Sequence, residues 1–215
     1  MSSPRPDRIV FVTGTGTEVG KTWWGAATLS HLRALGVRIA ARKPTQSGTD
    51  TGPTDADVLA AATGERPDEI CPPHRSYPIA WAPPMAAEEL GRPPFTVADL
   101  VAELEWPPGT EVGLVEGVGG PRSPIATDGD TVDLARLLEP DVVVIVADPG
   151  LGAINAVRLT AAAFDGAPFV GRSVVVALNR FGSSQLHARN LRFLVEHARL
   201  DVVTEPGRLA DRLRP

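Results

Sequence analysis

Residues 14–22 read Gly14-Thr15-Gly16-Thr17-Glu18-Val19-Gly20-Lys21-Thr22 and follow directly on the apolar run Ile9-Val10-Phe11-Val12. A buried strand running into a glycine-rich turn that ends in Gly-Lys-Thr is a cradle for phosphate. Its glycines let backbone N–H groups approach an anion without interference from Cβ. The helix expected next presents its positive end to the same anion. In such a loop Lys21 reaches the outer phosphates and the Thr22 hydroxyl holds Mg²⁺. The usual spacing puts the first glycine where this chain has Thr15; Gly14 and Gly16 flank it, so the loop is one residue longer counted from Gly14.

Outward from the loop, strand-like and helix-like stretches alternate. Buried strands are expected at residues 8–13, 38–42, 111–116, 141–147 and 173–178, with a short one at 201–204. Helices are expected at 21–35, 55–63, 85–91, 97–105, 131–138, 153–164 and 184–199. Residues 49–53 are rich in Thr, Gly and Pro, residues 65–84 are studded with proline and read as irregular, and the chain ends in a final turn to 215. Continuous β-branched runs separated by helices predict a parallel sheet with helices on both faces. With the phosphate loop, this predicts an α/β, three-layer P-loop NTPase fold with a mostly parallel sheet of about seven strands, in one domain spanning residues 1–215. Ligands of such sheets bind beyond the carboxyl ends of the strands. That rule gathers residues 14–22, 43–47, 116–120 and Asn179 on one rim.

The bulk composition narrows the function classes. A chain of 215 residues buries roughly 70% of its unfolded surface and needs no staples. Its single cysteine, Cys71, excludes an internal disulfide framework. A formal net charge of −5 speaks against a nucleic-acid footprint or an anionic membrane partner. The longest apolar run, residues 142–147, is too short to span a bilayer. Residues 1–8 are polar and run straight into a strand, so no signal peptide is expected and the cytoplasm is the expected compartment.

Several side chains on the rim are candidates for chemistry. Lys43 follows a strand and precedes Pro44, which stiffens the turn; a lysine there can hold an anionic group. Asp57 opens a short helix and either caps it or ligates Mg²⁺. Asp55 competes for the same roles and is better placed as the N-cap. Glu116 ends an apolar strand and precedes Gly117-Val118-Gly119-Gly120; a carboxylate at that point of a phosphate-loop protein suits metal or water. Asn179, at the end of another strand, offers paired donors and acceptors that suit a purine edge. Trp23 and Trp24 read as helix packing, and Arg189, Arg192 and Arg199 as a solvated helix face. The four histidines show no zinc spacing.

Taken together, the phosphate loop, Lys43-Pro44-Thr45-Gln46-Ser47-Gly48, Asp57, Glu116-Gly117-Val118-Gly119-Gly120, Gly150-Leu151-Gly152-Ala153-Ile154-Asn155 and Asn179 resemble the dethiobiotin synthetase family in order and spacing over about residues 8–180. The lengthened phosphate loop is itself a family feature. The resemblance implies the reaction ATP + 7,8-diaminononanoate + CO₂ → dethiobiotin + ADP + phosphate. It implies that Lys21 and Lys43 neutralise a carbamate and the transferring phosphoryl group, and that Thr17 and Ser47 touch the substrate or its carbamate. It places Mg²⁺ among Thr22, Asp57 and Glu116. It also places Glu18, Val19, Gly20, Lys21, Thr22 and Trp23 around the nucleotide, with Glu116, Gly117, Val118, Gly119, Asn179, Arg180 and Pro206 as further contacts and Asn179 reading adenine. It implies a homodimer with residues 150–155 at the interface.

The chain departs from the family pattern at Pro121-Arg122, at Arg180 and in its short tail around Pro206, which leaves the preferred base open. Two other readings of the loop exist: a partition-type ATPase switch and an amidase-type synthetase. The first usually carries an extra lysine early in the loop, where this chain has threonine and glycine. The second needs a glutaminase domain, for which 215 residues leave no room.

Overall fold

The computed structural model describes residues 4–48 and 52–214; part of the Thr/Gly/Pro-rich stretch expected at 49–53 lies outside them. Six strands form the central sheet: β1 (Arg8–Gly14), β2 (Ile39–Arg42), β3 (Val112–Glu116), β4 (Val142–Ala147), β5 (Ser173–Leu178) and β6 (Asp201–Val203). They lie in the order β6-β5-β4-β1-β3-β2, and every pairing is parallel. The runs Val-Val-Val-Ile-Val-Ala of β4 and Val-Gly-Leu-Val-Glu of β3 are buried throughout because helices cover both faces.

Successive side chains alternate between the two faces. Val10 and Val12 enter one core with Trp24, Leu29 and Leu59; Ile9 and Phe11 enter the other with Leu134, Leu138 and Phe164. Covering the first face are α1 (Lys21–Ala34), α2 (Asp55–Thr63) and a C-terminal helix; α3 (Thr131–Leu138) packs on the second face. Beyond these lie α4 (Ala153–Ala162) and α5 (Gln185–Glu196); the C-terminal helix is α6 (Pro206–Leu213).

Two details differ from the pattern in the sequence. The sheet has six strands rather than about seven. The remaining strands are short pairs outside it: Gln46–Ser47 with Ser76–Tyr77, and Pro124–Ala126 with Gly129–Asp130. The final turn is instead the helix α6, which buries Leu209, Ala210 and Leu213. Pro206, expected from the resemblance as a nucleotide contact, occupies the first turn of that helix, where its missing N–H has no partner to lose.

The topology positions the site. β1 lies between β3 and β4, with Val12 opposite Glu116 and Gly14 opposite Val146. The phosphate loop therefore leaves the middle of the sheet, beside the carboxyl end of β3. Because all six strands point the same way, Arg42, Glu116 and Leu178 end on this same rim.

Candidate active site

The phosphate loop spans residues 15–20 between β1 and α1. Gly20 is the N-cap of α1 with φ 98°, a conformation that glycine adopts without strain. A Cβ on Gly14 would stand 2.6 Å from Val19 Cγ2, so the loop closes this tightly only over glycine. The Lys21 ammonium folds back onto its own loop and donates to the Gly16 carbonyl at 2.9 Å. Burial, reinforced by the neighbouring Lys43 charge, lowers Lys21 to about 8.

Lys43 enters the site from the end of β2, its N–H anchored on the Ile70 carbonyl at 2.8 Å. Only 2% of the residue is exposed. Its Nζ donates to Glu116 Oε1 at 2.6 Å and to the Gly117 carbonyl at 3.0 Å, and lies 2.8 Å from Asp55 Oδ2. Burial alone would lower this ammonium, but the two carboxylates outweigh burial and raise it, so it stays charged. Asp55 is lowered chiefly by Lys43, whereas burial pushes Glu116 upward against the same attraction.

Thr22 Oγ1 lies 2.7 Å from Asp55 Oδ1 and 2.9 Å from Glu116 Oε1. A hydroxyl has one proton, so it serves one of these carboxylates at a time. Glu116 Oε2 is buried with no hydrogen-bond partner. A buried carboxylate oxygen of this kind, beside a second carboxylate and a hydroxyl, is the hard oxygen donor set that suits Mg²⁺. The residues present therefore fit that ion.

The carboxylate that faces this cluster is Asp55, not Asp57. Asp57 closes a capping box: its Oδ2 accepts from the Thr54 N–H at 2.8 Å, and its own N–H donates to Thr54 Oγ1 at 3.2 Å. Thr54, rather than Asp55, is the N-cap. The signal was present in Thr54-Asp55-Ala56-Asp57, since a hydroxyl followed three residues later by a carboxylate marks a reciprocal cap.

A cleft of about 640 Å³ opens over the cluster. Of the residues predicted from sequence, Thr17, Glu18, Gly20, Lys21, Thr22 and Lys43 line it, as do Ser47, Glu116, Val118, Gly119 and Arg180. Thr17 is exposed, and Ser47 Oγ donates to the Trp81 carbonyl at 2.6 Å. Gln46, Gly48 and Ala80 also line the cleft; Gln46 and Gly48 belong to the motif at 43–48 but carried no role of their own, and Ala80 was not predicted. The role of Gln46 is conformational: its side-chain carbonyl accepts from the Ala56 N–H at 3.0 Å, beside Asp55.

The other predicted contacts do not line the cleft, although the Gly117 carbonyl accepts from Lys43. Val19 packs against the core. Trp23 stands 55% exposed on α1 while Trp24 is buried. Gly117 packs under Thr131. Asn179 sits behind the loop, its Nδ2 donating to the Val19 carbonyl at 2.9 Å. Pro206 begins α6. A second cleft, about 710 Å³, lies across β2 beside Arg42 and Trp106. Its buried cation is already matched, since Arg42 donates to Glu65 Oε1 at 2.6 Å and to the Glu105 carbonyl at 2.5 Å.

Cys71 lies near the cluster but is only 3% exposed. Burial pushes its thiol up to about 12, so thiolate is nearly absent at neutral pH. The native protein is expected to leave an aromatic disulfide reagent unreacted for hours and to consume one equivalent once unfolded in guanidinium. Rapid release of thiolate dye from native protein would overturn the buried placement of Cys71.

Comparisons with known proteins agree with this geometry. Residues 8–205 match a family model described as an AAA domain. The chain is 39% identical over 173 residues to "ATP-dependent dethiobiotin synthetase BioD" of Xanthomonas euvesicatoria pv. vesicatoria, covering 75% of each chain. It is 36% identical over 153 residues to the protein of the same name from Corynebacterium efficiens, covering 71% of this chain and 67% of that one. In fold it is similar to a plasmid partition protein from Borrelia burgdorferi, with TM-score 0.56, 12% identity, and 97% of this chain and 96% of that one covered. It is also similar in fold to the signal recognition particle receptor FtsY from Elizabethkingia anophelis in complex with GDP, with TM-score 0.54 and 13% identity, covering 99% of this chain and 64% of that one. With a parallel six-stranded sheet, a phosphate loop at its centre and these relatives at 36–39% identity, the chain belongs to the dethiobiotin synthetase family of P-loop NTPases.

Proposed function

We propose that this protein catalyses ATP-dependent ring closure of 7,8-diaminononanoate with CO₂ to dethiobiotin, releasing ADP and phosphate, a step of biotin biosynthesis. The observation that carries the reading is the convergence of Lys21 and Lys43 on one cleft, with Lys43 fixed between Glu116 and Asp55. These are the only two lysines in the chain; its other basic side chains apart from histidine are arginines. A compact ammonium carries a concentrated charge into a small site where a planar guanidinium does not fit as easily.

The chemistry needs positioned positive charge rather than a covalent nucleophile. One amine of the substrate adds CO₂ and loses a proton, giving a carbamate. A carbamate oxygen takes the terminal phosphoryl group of ATP, giving a mixed anhydride. The second amine attacks the carbonyl carbon, the carbon–oxygen bond to phosphate breaks, and the ring closes with loss of a proton. Lys43 is held where it can face the carbamate and the phosphoryl group together. Lys21 neutralises the outer phosphates, and the loop N–H groups cradle them. Thr17 and Ser47 stand on the cleft wall, in reach of the substrate. Thr22, Glu116 and Asp55, the last in place of Asp57, would hold Mg²⁺, which supplies charge neutralisation on the phosphates.

The remaining assignments belong to the same proposal. Residues 1–215 form one domain that acts in the cytoplasm on small molecules, without nucleic acid or membrane. Among the described residues no helix is long and apolar enough to cross a membrane. The protein pairs as a homodimer through residues 150–155. In support, Leu151 stands 95% exposed between two glycines in that segment.

The test is direct. Incubation with diaminononanoate, bicarbonate, Mg²⁺ and ATP is expected to yield dethiobiotin by mass spectrometry, with one phosphate released per ring closed. Phosphate release that ignores diaminononanoate, with no dethiobiotin formed, would sink the proposal.

A further inference from the structure

Ser47 reaches the cleft from a strand of only two residues. Gln46–Ser47 pairs in parallel with Ser76–Tyr77, Gln46 opposite Ser76 and Ser47 opposite Tyr77. The Gly48 N–H donates to the Tyr77 carbonyl at 3.0 Å, and Thr45 Oγ1 donates to the Arg75 carbonyl at 3.0 Å. Gln46 Nε2 adds a bond to Ser76 Oγ at 3.1 Å. So short a pair of strands is not stable by itself. The place of Ser47 on the cleft wall therefore depends on what fixes residues 75–77.

A column of four stacked side chains fixes them. Arg92 Cζ lies over the Tyr77 ring, 4.9 Å from its centroid, and Arg75 Cζ over the Phe95 ring at 4.3 Å. Between the two cations the Tyr77 and Phe95 rings stack, 6.2 Å apart and 12° from parallel. Both rings are buried, which strengthens the attraction of each guanidinium for its ring face. Arg92 also donates to the Ser76 carbonyl at 2.9 Å. At the other end Arg75 forks onto Glu103, Nε to Oε2 at 2.8 Å and Nη2 to Oε1 at 2.6 Å. Such a fork is specific to the planar guanidinium. Glu103 caps the helix Val97–Ala102, whose Val97 and Leu100 are buried in the second core. The fork thus ties residues 75–77 to a packed element. Arg75 itself does not line the cleft.

We infer that Arg75 is a positioning residue for the substrate side of the cleft: through the strand Ser76–Tyr77 it sets where Ser47 stands, and so how tightly diaminononanoate is held. The inference rests on the reading of this cleft as the diaminononanoate site. The other parts of the cleft have separate supports. Lys43 is anchored on the Ile70 carbonyl and on Glu116, and the phosphate loop leaves the middle of the sheet between β1 and α1. Loss of Arg75 should therefore spare the nucleotide and the chemistry.

The experiment is steady-state kinetics of the unsubstituted protein, Arg75→Ala, Arg75→Lys and Glu103→Gln, with diaminononanoate and ATP varied in turn. Arg75→Ala is expected to raise the KM for diaminononanoate by about tenfold, the worth of one hydrogen bond to substrate. The KM for ATP and kcat should stay within about twofold, the pattern of lost ground-state binding. Arg75→Lys keeps a cation over Phe95 without the fork, so its KM for diaminononanoate should fall between the two. A purely structural role would not give this split, since a partly unfolded population lowers apparent kcat and leaves both KM values alone. Should Arg75→Ala fail to fold, Glu103→Gln carries the comparison, with a smaller rise in the same KM. An unchanged KM for diaminononanoate overturns the inference, as does an equal rise in the KM for ATP. If the unsubstituted protein consumes no diaminononanoate, the ring-closure reading falls and takes this inference with it. If it closes the ring and the substitutions leave the KM for diaminononanoate unmoved, that reading stands and this inference alone fails.

Discussion

Replacing Lys43 by methionine is expected to lower turnover of diaminononanoate by about a thousandfold. Removal of one preorganised charge or donor from a water-poor site commonly costs about 10²–10³ in rate. Lys43 stands at the upper end because its Nζ meets Glu116, Asp55 and the Gly117 carbonyl within 2.6–3.0 Å, so no other group can take its place without moving. Stability should suffer as well. Glu116 is fully buried, and its ion pair with Lys43 is closed to water on both sides. Removing one partner of such a pair costs about 3–5 kcal/mol, because the other charge is left buried alone. Burial already pushes Glu116 upward, and losing the ammonium removes the attraction that opposes this. The double variant Lys43→Met/Glu116→Gln is therefore expected to regain most of the lost unfolding temperature and none of the turnover. Steady-state phosphate release and thermal unfolding measure the two effects separately. Turnover of Lys43→Met within tenfold of the unsubstituted rate would remove Lys43 from the chemistry.

The second large effect separates two aspartates that stand two positions apart. Asp55→Asn is expected to lower turnover about a hundredfold, since it removes a carboxylate that touches both Lys43 and Thr22 in the cleft. Asp57→Ala is expected to leave turnover within twofold and to cost about 1 kcal/mol of stability, the ordinary worth of a helix cap. Its carboxylate only closes the box with Thr54. Activity assays at saturating Mg²⁺ and denaturant titrations of both variants decide the matter. The opposite pattern, with Asp57 essential and Asp55 dispensable, would restore the assignment that the motif alone suggested.

These aspartates show where the sequence stops being sufficient. The strand before the phosphate loop is legible because Ile9 to Val12 is an unbroken apolar run with glycines after it. Glu116 is legible for a similar reason: a carboxylate at the end of an unbroken apolar strand needs a charged or metal partner, so it marks where that strand reaches the rim. Lys43 follows by the same logic at the end of β2. The proline-rich stretch was less legible. Its two-residue strand Ser76–Tyr77 and one-turn helices Pro67–Ile70 and Pro73–Arg75 are too short for periodicity to register.

Local pattern alone was enough to establish the parallel α/β fold, the phosphate loop and the rim on which function gathers, because each depends on which residues can be buried and where backbone must turn. The capping-box spacing from Thr54 marked Asp57 as a cap, but only the tertiary structure could bring Asp55 to Lys43 and Thr22, since residues two apart on a helix point about 200° from each other and the neighbour they face is set by packing. Only it could bring Asn179 to Val19, because that contact depends on β4 lying between β5 and β1, a strand order that hydrophobic patterning does not encode.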